Sequence, residues 1–261
     1  MEISKANIVF FSPTYSTEKI TRLLGDVWGD ELCESIDISS YKDAGKQYEF
    51  QSDEIVYFGV PSYGGRVPEP AVQRFRNMRG NGTPIVLAAV FGNRDYDDTL
   101  LEMKDLAVNQ GFVPAAAVAA VAEHSIMRQY AKGRPDEQDR KELQEFAEKI
   151  RDKVNGVKEL KDFGELSVKG NRPYREYSGV PMKPSAGKKC TKCGVCAVRC
   201  PVGAISLEHP NETDTDKCIS CMRCIAVCLE HARSVSRPVL AAASMKLKKA
   251  CTEPKRNEMI L

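Results

Sequence analysis

No apolar run in this 261-residue chain approaches the ~20 residues that a membrane-crossing helix requires. The longest runs, around 84–91 and 112–122, stop well short of it. The amino terminus, MEISKANIVFF, lacks a basic stretch leading into a cleavable apolar segment and reads as a strand entering a domain. Charge of one sign is also missing, since 38 Lys and Arg stand against 36 Asp and Glu. That balance gives no polyelectrolyte signal for nucleic acid. No G-x-G-x-x-G follows a strand, so no built-in NAD(P)H site is evident, and neither a Ser-His-Asp set nor a carboxylate pair stands out. Cysteine is nearly absent from the first 189 residues, where Cys33 stands alone. These absences leave a globular, cytoplasmic chain without a membrane span as the expectation. At ~150 residues per domain its length suits one large domain and one small one.

What is present divides along the chain. Short apolar runs at 6–11, 32–38, 54–60, 84–91 and 112–122 alternate with helical patterns at 16–29, 68–79, 97–110 and 136–156. Strand alternating with helix predicts a doubly wound parallel sheet covered on both faces, with order 2-1-3-4-5. Residues 1–160 are expected to form this domain. The Gly- and Pro-rich stretch 161–186 reads as a linker, 187–235 as a small α+β domain and 236–261 as a tail to which no chemistry is assigned. Residues 1–165 hold 21 Lys and Arg against 28 Asp and Glu, whereas residues 166–261 hold 17 against 8. The basic excess serves solubility or compensates an anionic centre or an acidic partner.

Eight of the ten cysteines fall in two copies of one spacing, CTKCGVCAVRC at 190–200 and CISCMRCIAVC at 218–228. Each reads C-x2-C-x2-C-x3-C. Three cysteines spaced by two residues let one loop wrap a cubane, and the fourth heads away to a second cluster. The predicted quartets are Cys190, Cys193, Cys196 and Cys228 for one 4Fe–4S cluster, and Cys218, Cys221, Cys224 and Cys200 for the other. Zinc ribbons, the competing use of clustered cysteines, pair two C-x2-C units across a longer gap and fit this pattern poorly. The unit resembles bacterial two-cluster ferredoxins. Pro201 follows the first copy as that resemblance leads one to expect, and Leu229 stands in its place after the second.

In the amino-terminal half, S-P-T-Y-S-T (12–17) lies between the first strand and a helix. Hydroxyls and N–H groups there make a site for a phosphate dianion, or simply cap the helix. The stretch resembles the flavodoxin phosphate loop S/T-x-T-G-x-T. Ser12, Thr14 and Thr17 match its hydroxyls, Ser16 a polar position, and Tyr15 stands at its glycine. Pro61, Ser62, Tyr63, Gly64 and Gly65 follow the third strand, and Gly92, Asn93, Arg94 and Tyr96 follow the fourth. These loops lie at the strand ends where an FMN ring belongs. Tyr63 and Tyr96 are candidates to lie against it, and Arg66 or Arg94 to face a reduced, anionic ring. His124 approaches the flavin or a domain seam, or is a surface or capping residue. The polar stretch 123–139 is long for a connection and is a candidate functional loop.

Taken together, FSPTYSTEKI, GVPSYGGRVPEP, FGNRDYDD, AEHSIMRQYAKGRPDEQD, GNRPY and the cysteine repeat make residues 1 to about 235 resemble the fused flavodoxin–ferredoxin proteins of anaerobic bacteria and archaea. The resemblance implies FMN, two 4Fe–4S clusters and electron transfer with redox partner proteins, a homodimer being left open. Two other functions remain in view: a flavin-dependent reductase of a small acceptor, fed by its own clusters, and a redox sensor without flavin.

Overall fold

The computed structural model describes residues 1–261. Its first part runs β1 (Lys5–Phe10), α1 (Ser16–Gly25), β2 (Cys33–Asp37), β3 (Tyr48–Phe50), β4 (Glu54–Pro61), α2 (Glu69–Phe75), β5 (Met78–Gly80), β6 (Pro84–Phe91), α3 (Thr99–Asn109), β7 (Val113–Val121) and α4 (Glu137–Gly156). Five of these strands form a parallel sheet in the order β2-β1-β4-β6-β7. Numbered within the sheet, that is the flavodoxin-like order 2-1-3-4-5 with its switch point beside the first strand. The predicted helix over 68–79 stops at Phe75, because Met78–Gly80 turns to pair with β3 in a separate two-stranded ladder.

The sheet is buried on both faces by the period of its own sequence. All eight residues of β6 are buried. Ile85, Leu87, Ala89 and Phe91 pack with α2 and α3, and Val86, Ala88 and Val90 pack with α1 and α4. On the first face the Phe75 ring lies 4.4 Å from that of Phe58 and 5.5 Å from that of Phe112. Truncating Phe75 to alanine would cost about 3–5 kcal/mol.

The Gly- and Pro-rich segment that follows α4 is laid on the carboxyl-end loops of the sheet. Asp98 accepts from the N–H of Asn171 at 2.9 Å and of Arg175 at 2.7 Å. Burial raises the Asp98 pKa, but these N–H groups outweigh it and hold the carboxyl below its ordinary value. Asp105 accepts from Arg172 and Tyr174. The cysteine-rich unit then comprises β8 (Ser185–Ala186), α5 (Val195–Val198), α6 (Arg223–Ala226) and β9 (Arg233–Ser234), its two ends tied by antiparallel pairing of β8 with β9.

The last residues return to the first domain. α7 (Arg237–Cys251) leads to β10 (Glu258–Ile260), which pairs antiparallel with β7 as a sixth strand. Asn93 fixes this return. Its Nδ2 donates to the carbonyls of Cys251 at 2.7 Å and Glu253 at 3.0 Å, and its Oδ1 accepts from the Lys255 N–H at 2.9 Å. Two buried arginines join the units. Arg74 of α2 donates to Ile38 O and Pro201 O. Arg223 donates to Ser12 O at 2.9 Å and Pro13 O at 3.0 Å. No helix is long and apolar enough to cross a membrane.

Candidate functional site

The two cysteine copies are offset by 28 residues, and their backbones follow the same path. Lys192 and Gly194 in one copy, and Ser220 and Met222 in the other, have positive φ. Gly203 and His231, three residues after each fourth cysteine, share it. The N–H groups of Ala204 and Ala232 donate to the sulfurs of Cys200 at 3.2 Å and Cys228 at 3.3 Å. None of the N–H groups of residues 191–196 or 219–224 bonds to a backbone carbonyl. A run of free amides around left-handed residues makes a concave site for an anion, as in iron–sulfur loops. Four of these left-handed positions, Lys192, Ser220, Met222 and His231, are not glycine, and each costs about 1–2 kcal/mol in an L-residue. That backbone strain marks a built site.

Cys190, Cys193, Cys196 and Cys228 line one cavity. Cys218, Cys224 and Cys200 lie within electrostatic range of Cys221. Burial pushes the Cys221 thiol far above its ordinary range, with these neighbours adding to it and the Arg223 N–H opposing. Burial also pushes Cys224 up to about 12, against the Arg233 guanidinium and with Cys218, Cys200 and Cys196. Such thiols stay protonated until a cation draws the proton off, which couples binding of metal to proton release and to folding. Arg233 is itself buried, and its Nε lies 3.2 Å from Cys196 Sγ. Thiols lining one cavity, amides that bond to no carbonyl and a buried guanidinium are a donor set that suits an anionic cubane.

A cavity lies at the carboxyl-end loops of the sheet, the place where doubly wound folds bind their cofactors. Of the residues expected at a flavin, Thr14, Ser16, Thr17, Pro61, Ser62, Tyr63, Gly64, Gly92 and Arg94 line it. At the start of α1 the N–H groups of residues 14–17 bond to no carbonyl, which leaves donors for an anion. Ser12 does not line the cavity. Its Oγ accepts from the Glu18 N–H at 2.9 Å and so caps α1. Tyr15 has φ 69 and stacks under Arg223, whose guanidinium carbon is 4.8 Å from the ring centre. Gly65 is turned to Asp97, and Asn93 holds the carboxyl-terminal return. The Tyr96 hydroxyl donates to Glu258 at 2.7 Å, so its ring faces β10 and not the cavity. Arg66 is engaged by Glu102 through two 2.8 Å bonds and is likewise elsewhere.

Several lining residues lay outside the expected loops. Glu123 to Met127 form one wall. His124 Nδ1 accepts from the N–H of Ile126 at 3.1 Å and Met127 at 3.2 Å, which leaves the ring proton on Nε2. Burial lowers the His124 pKa to about 4, with a backbone hydrogen bond opposing and the Arg94 charge adding to the fall. Tyr177, Val180 and Met182 come from the linker, Leu247 from α7, and Ile219 and Ser220 from between Cys218 and Cys221. Gly64, at φ 61, is where the Tyr177 ring crosses, and a Cβ there would meet it at 2.2 Å. Burial pushes the Tyr63 hydroxyl well above its ordinary pKa, with Cys221 and Tyr177 near enough to add to it. The presumed ring loop and a cysteine quartet thus share one wall. The polar stretch 123–139 did announce part of this. Nothing local in 177–182, 219–220 or 247 did.

Comparison with known proteins finds one family for the cysteine-rich unit. The family described as 4Fe-4S dicluster domain matches residues 185–253. No curated protein matches the chain. Among solved structures, a flavodoxin from Streptococcus pneumoniae TIGR4 is similar over 57% of this chain and 99% of its own, at 20% identity and TM-score 0.40. A flavodoxin from the domain Archaea is similar over 58% of this chain and 99% of its own, at 11% identity and TM-score 0.37. A short-chain flavodoxin associated with a PDU bacterial microcompartment is similar over 57% and 98%, at 17% identity and TM-score 0.39. By its strand order and its cysteine unit, the polypeptide joins a flavodoxin-like domain to a 4Fe–4S dicluster domain, as flavodoxin–ferredoxin fusions do. Iron–sulfur chemistry and electron transfer define its class.

Proposed function

We propose that this chain relays electrons between two 4Fe–4S clusters and an FMN held in the cavity between its domains. The observation that carries the reading is the shared wall: Ile219 and Ser220, between Cys218 and Cys221, complete a cavity otherwise built from the loops at the carboxyl ends of β1, β4, β6 and β7, from the linker and from α7. When bound, the clusters exchange single electrons and the flavin takes up one or two. The chain's own residues do the rest. Cys190, Cys193, Cys196 and Cys228 hold one cluster, and Cys218, Cys221, Cys224 and Cys200 the other. The free amides of residues 14–17, with Thr14, Ser16 and Thr17, take the phosphate. Tyr63 offers a ring face, and Gly64 and Gly92 admit the flavin edge. His124 Nε2 and Arg94 supply donors. Arg233 offsets the charge at Cys196, and Arg223 keeps the second quartet's loop seated on the phosphate loop.

The test is anaerobic purification followed by metal, sulfide and flavin analysis and a redox titration with EPR and visible spectra. About eight irons, eight labile sulfides and one FMN per chain are expected. Zinc in place of iron, or no flavin after reconstitution with FMN, overturns the reading. A second reading, reduction of a small acceptor at the flavin, is favoured by the roof that Glu123 to Met127, Tyr177 and Leu247 place over the cavity. Steady turnover of a defined acceptor with dithionite as donor would select it.

A further inference from the structure

We propose that the face over the first cysteine quartet is the docking surface for an acidic one-electron carrier protein, an inference that rests on the electron-transfer reading above. The internal repeat supplies the argument. Around the second quartet, Pro201 (after Cys200), Ser220, Arg223 and Val235 are buried. Pro201 accepts from Arg74, Arg223 reaches the phosphate loop, and Ser220 lines the interdomain cavity. Their equivalents 28 positions away, around the first quartet, are Leu229 (after Cys228), Lys192, Val195 and Leu207. All four are exposed, Leu229 at 83% and Leu207 at 64%. The seat that the flavodoxin-like domain fills at one quartet is therefore open at the other.

The open seat has an apolar centre. Leu207 packs beside Gly194, Val195 follows it, Leu229 follows Cys228, and Cys193 is itself exposed. Uncovered apolar side chains grouped over a redox centre mark a protein contact. The rim is basic. Residues 185–199 carry Lys188, Lys189, Lys192 and Arg199, all exposed, and no acid. The equivalent residues 213–227 carry two bases and two acids. Glu230 is the one carboxylate lining the first quartet's cavity. A basic rim around an apolar centre selects an acidic partner and accelerates encounter by about 10- to 1,000-fold at low salt. The transfer it serves moves one electron, the reduced carrier being oxidised as this chain is reduced, with no bond made or broken.

The experiment is anaerobic stopped-flow reduction of the holoprotein by a reduced acidic ferredoxin at rising ionic strength, compared with reduction by dithionite. Wild type should react fastest at low salt. The triple variant Lys188→Glu, Lys189→Glu, Arg199→Glu should lose about tenfold or more with the ferredoxin and lose the salt dependence. Its iron content and its dithionite rate should stay near those of wild type. The double variant Leu207→Ser, Leu229→Ser should weaken saturation by the ferredoxin and keep the salt slope. Unchanged rates in both variants overturn the proposal. Self-association of wild type that the triple variant abolishes also overturns it, by assigning the face to a second copy and its acidic first domain. Calorimetric titration of the oxidised ferredoxin reads docking without electron transfer, so wild-type protein that binds the carrier but lacks flavin would sink the proposed function alone.

Discussion

The two cysteine copies share spacing, left-handed residues and sulfur-bound amides, yet they meet different surroundings. Around Cys221 the loop is buried from Ser220 to Cys224, and Met222 packs with Met182 and Val235. Around Cys193 the loop is exposed from Thr191 to Cys193. The same local physics thus serves two settings, one against the interdomain cavity and one at the surface. Local sequence dictates how each loop wraps its cavity. The tertiary setting dictates what lies on the other side.

The largest expected effects separate the copies outright. Cys221→Ala leaves Cys218, Cys224 and Cys200 without a fourth ligand, beside the wall shared with Tyr63. It should lower iron from about eight to about four or fewer per chain and weaken FMN binding by at least about tenfold. Cys193→Ala should cost a similar amount of iron and leave FMN affinity within about twofold, because its loop touches no part of the flavin cavity. Iron analysis with a flavin-fluorescence titration reads both. Equal loss of FMN affinity in the two variants would erase the distinction between the copies.

Arg223 comes next, since it is the charged link between the copy that is covered and the domain that covers it. Its Nη1 serves two carbonyls of the phosphate loop, its Nε is buried with no hydrogen-bond partner, and its plane covers Tyr15. Arg223→Gln should cost about 2–3 kcal/mol of docking, as expected for lost charge-assisted bonds to buried acceptors. Carried through to the flavin site, that is read as about 30- to 150-fold weaker FMN binding. Lys189→Gln, on the exposed side of the other quartet, should leave FMN affinity unchanged.

How much of this was legible follows the range of the forces. The five parallel strands and their order were readable because each strand carries its own apolar run and turn signals. The cysteine-rich unit was readable because its repeated spacing lies within two short local stretches. The seats of Tyr96 and Asn93 were not. Both lie in the correct loop, but Glu258 and residues 251–255 arrive from the far end of the chain and engage them. β10 is three residues long, too short to show a period, so nothing announced a strand that would turn Tyr96 away from the cavity. The linker wall and Ile219–Ser220 escaped notice for the same reason: their role exists only once the units have docked.

His124 tests the cavity wall without touching either copy. Its imidazole sits near pKa about 4, against about 6.5 in an unfolded chain. Between those values the unfolded state binds more protons, so folding stability should fall as pH drops from about 6.5 toward 4, by up to about 3 kcal/mol. Above pH 7 the penalty vanishes. Denaturant titrations of wild type and His124→Gln across this range should converge at low pH and diverge at neutral pH, where wild type keeps its bonds to the Ile126 and Met127 amides. Parallel curves would show that the ring titrates as it does in water.

The smallest effect concerns Tyr15, where the covered copy meets strain in the domain that covers it. A tyrosine at φ 69 costs about 1–2 kcal/mol that glycine would not. Stacking of a desolvated guanidinium on its ring returns up to about 2 kcal/mol. The two terms oppose, so Tyr15→Gly should change stability by less than about 1 kcal/mol. Tyr15→Leu keeps the strain and loses the stack, and should be the worse variant by about 1–2 kcal/mol. In an Arg223→Gln background the order of merit changes: with no guanidinium to cover, Tyr15→Gly becomes stabilising, because only the relief of the backbone remains. A double-mutant cycle over Tyr15 and Arg223 measures that sign directly, and additive values would mean that the ring and the guanidinium are neighbours without coupling.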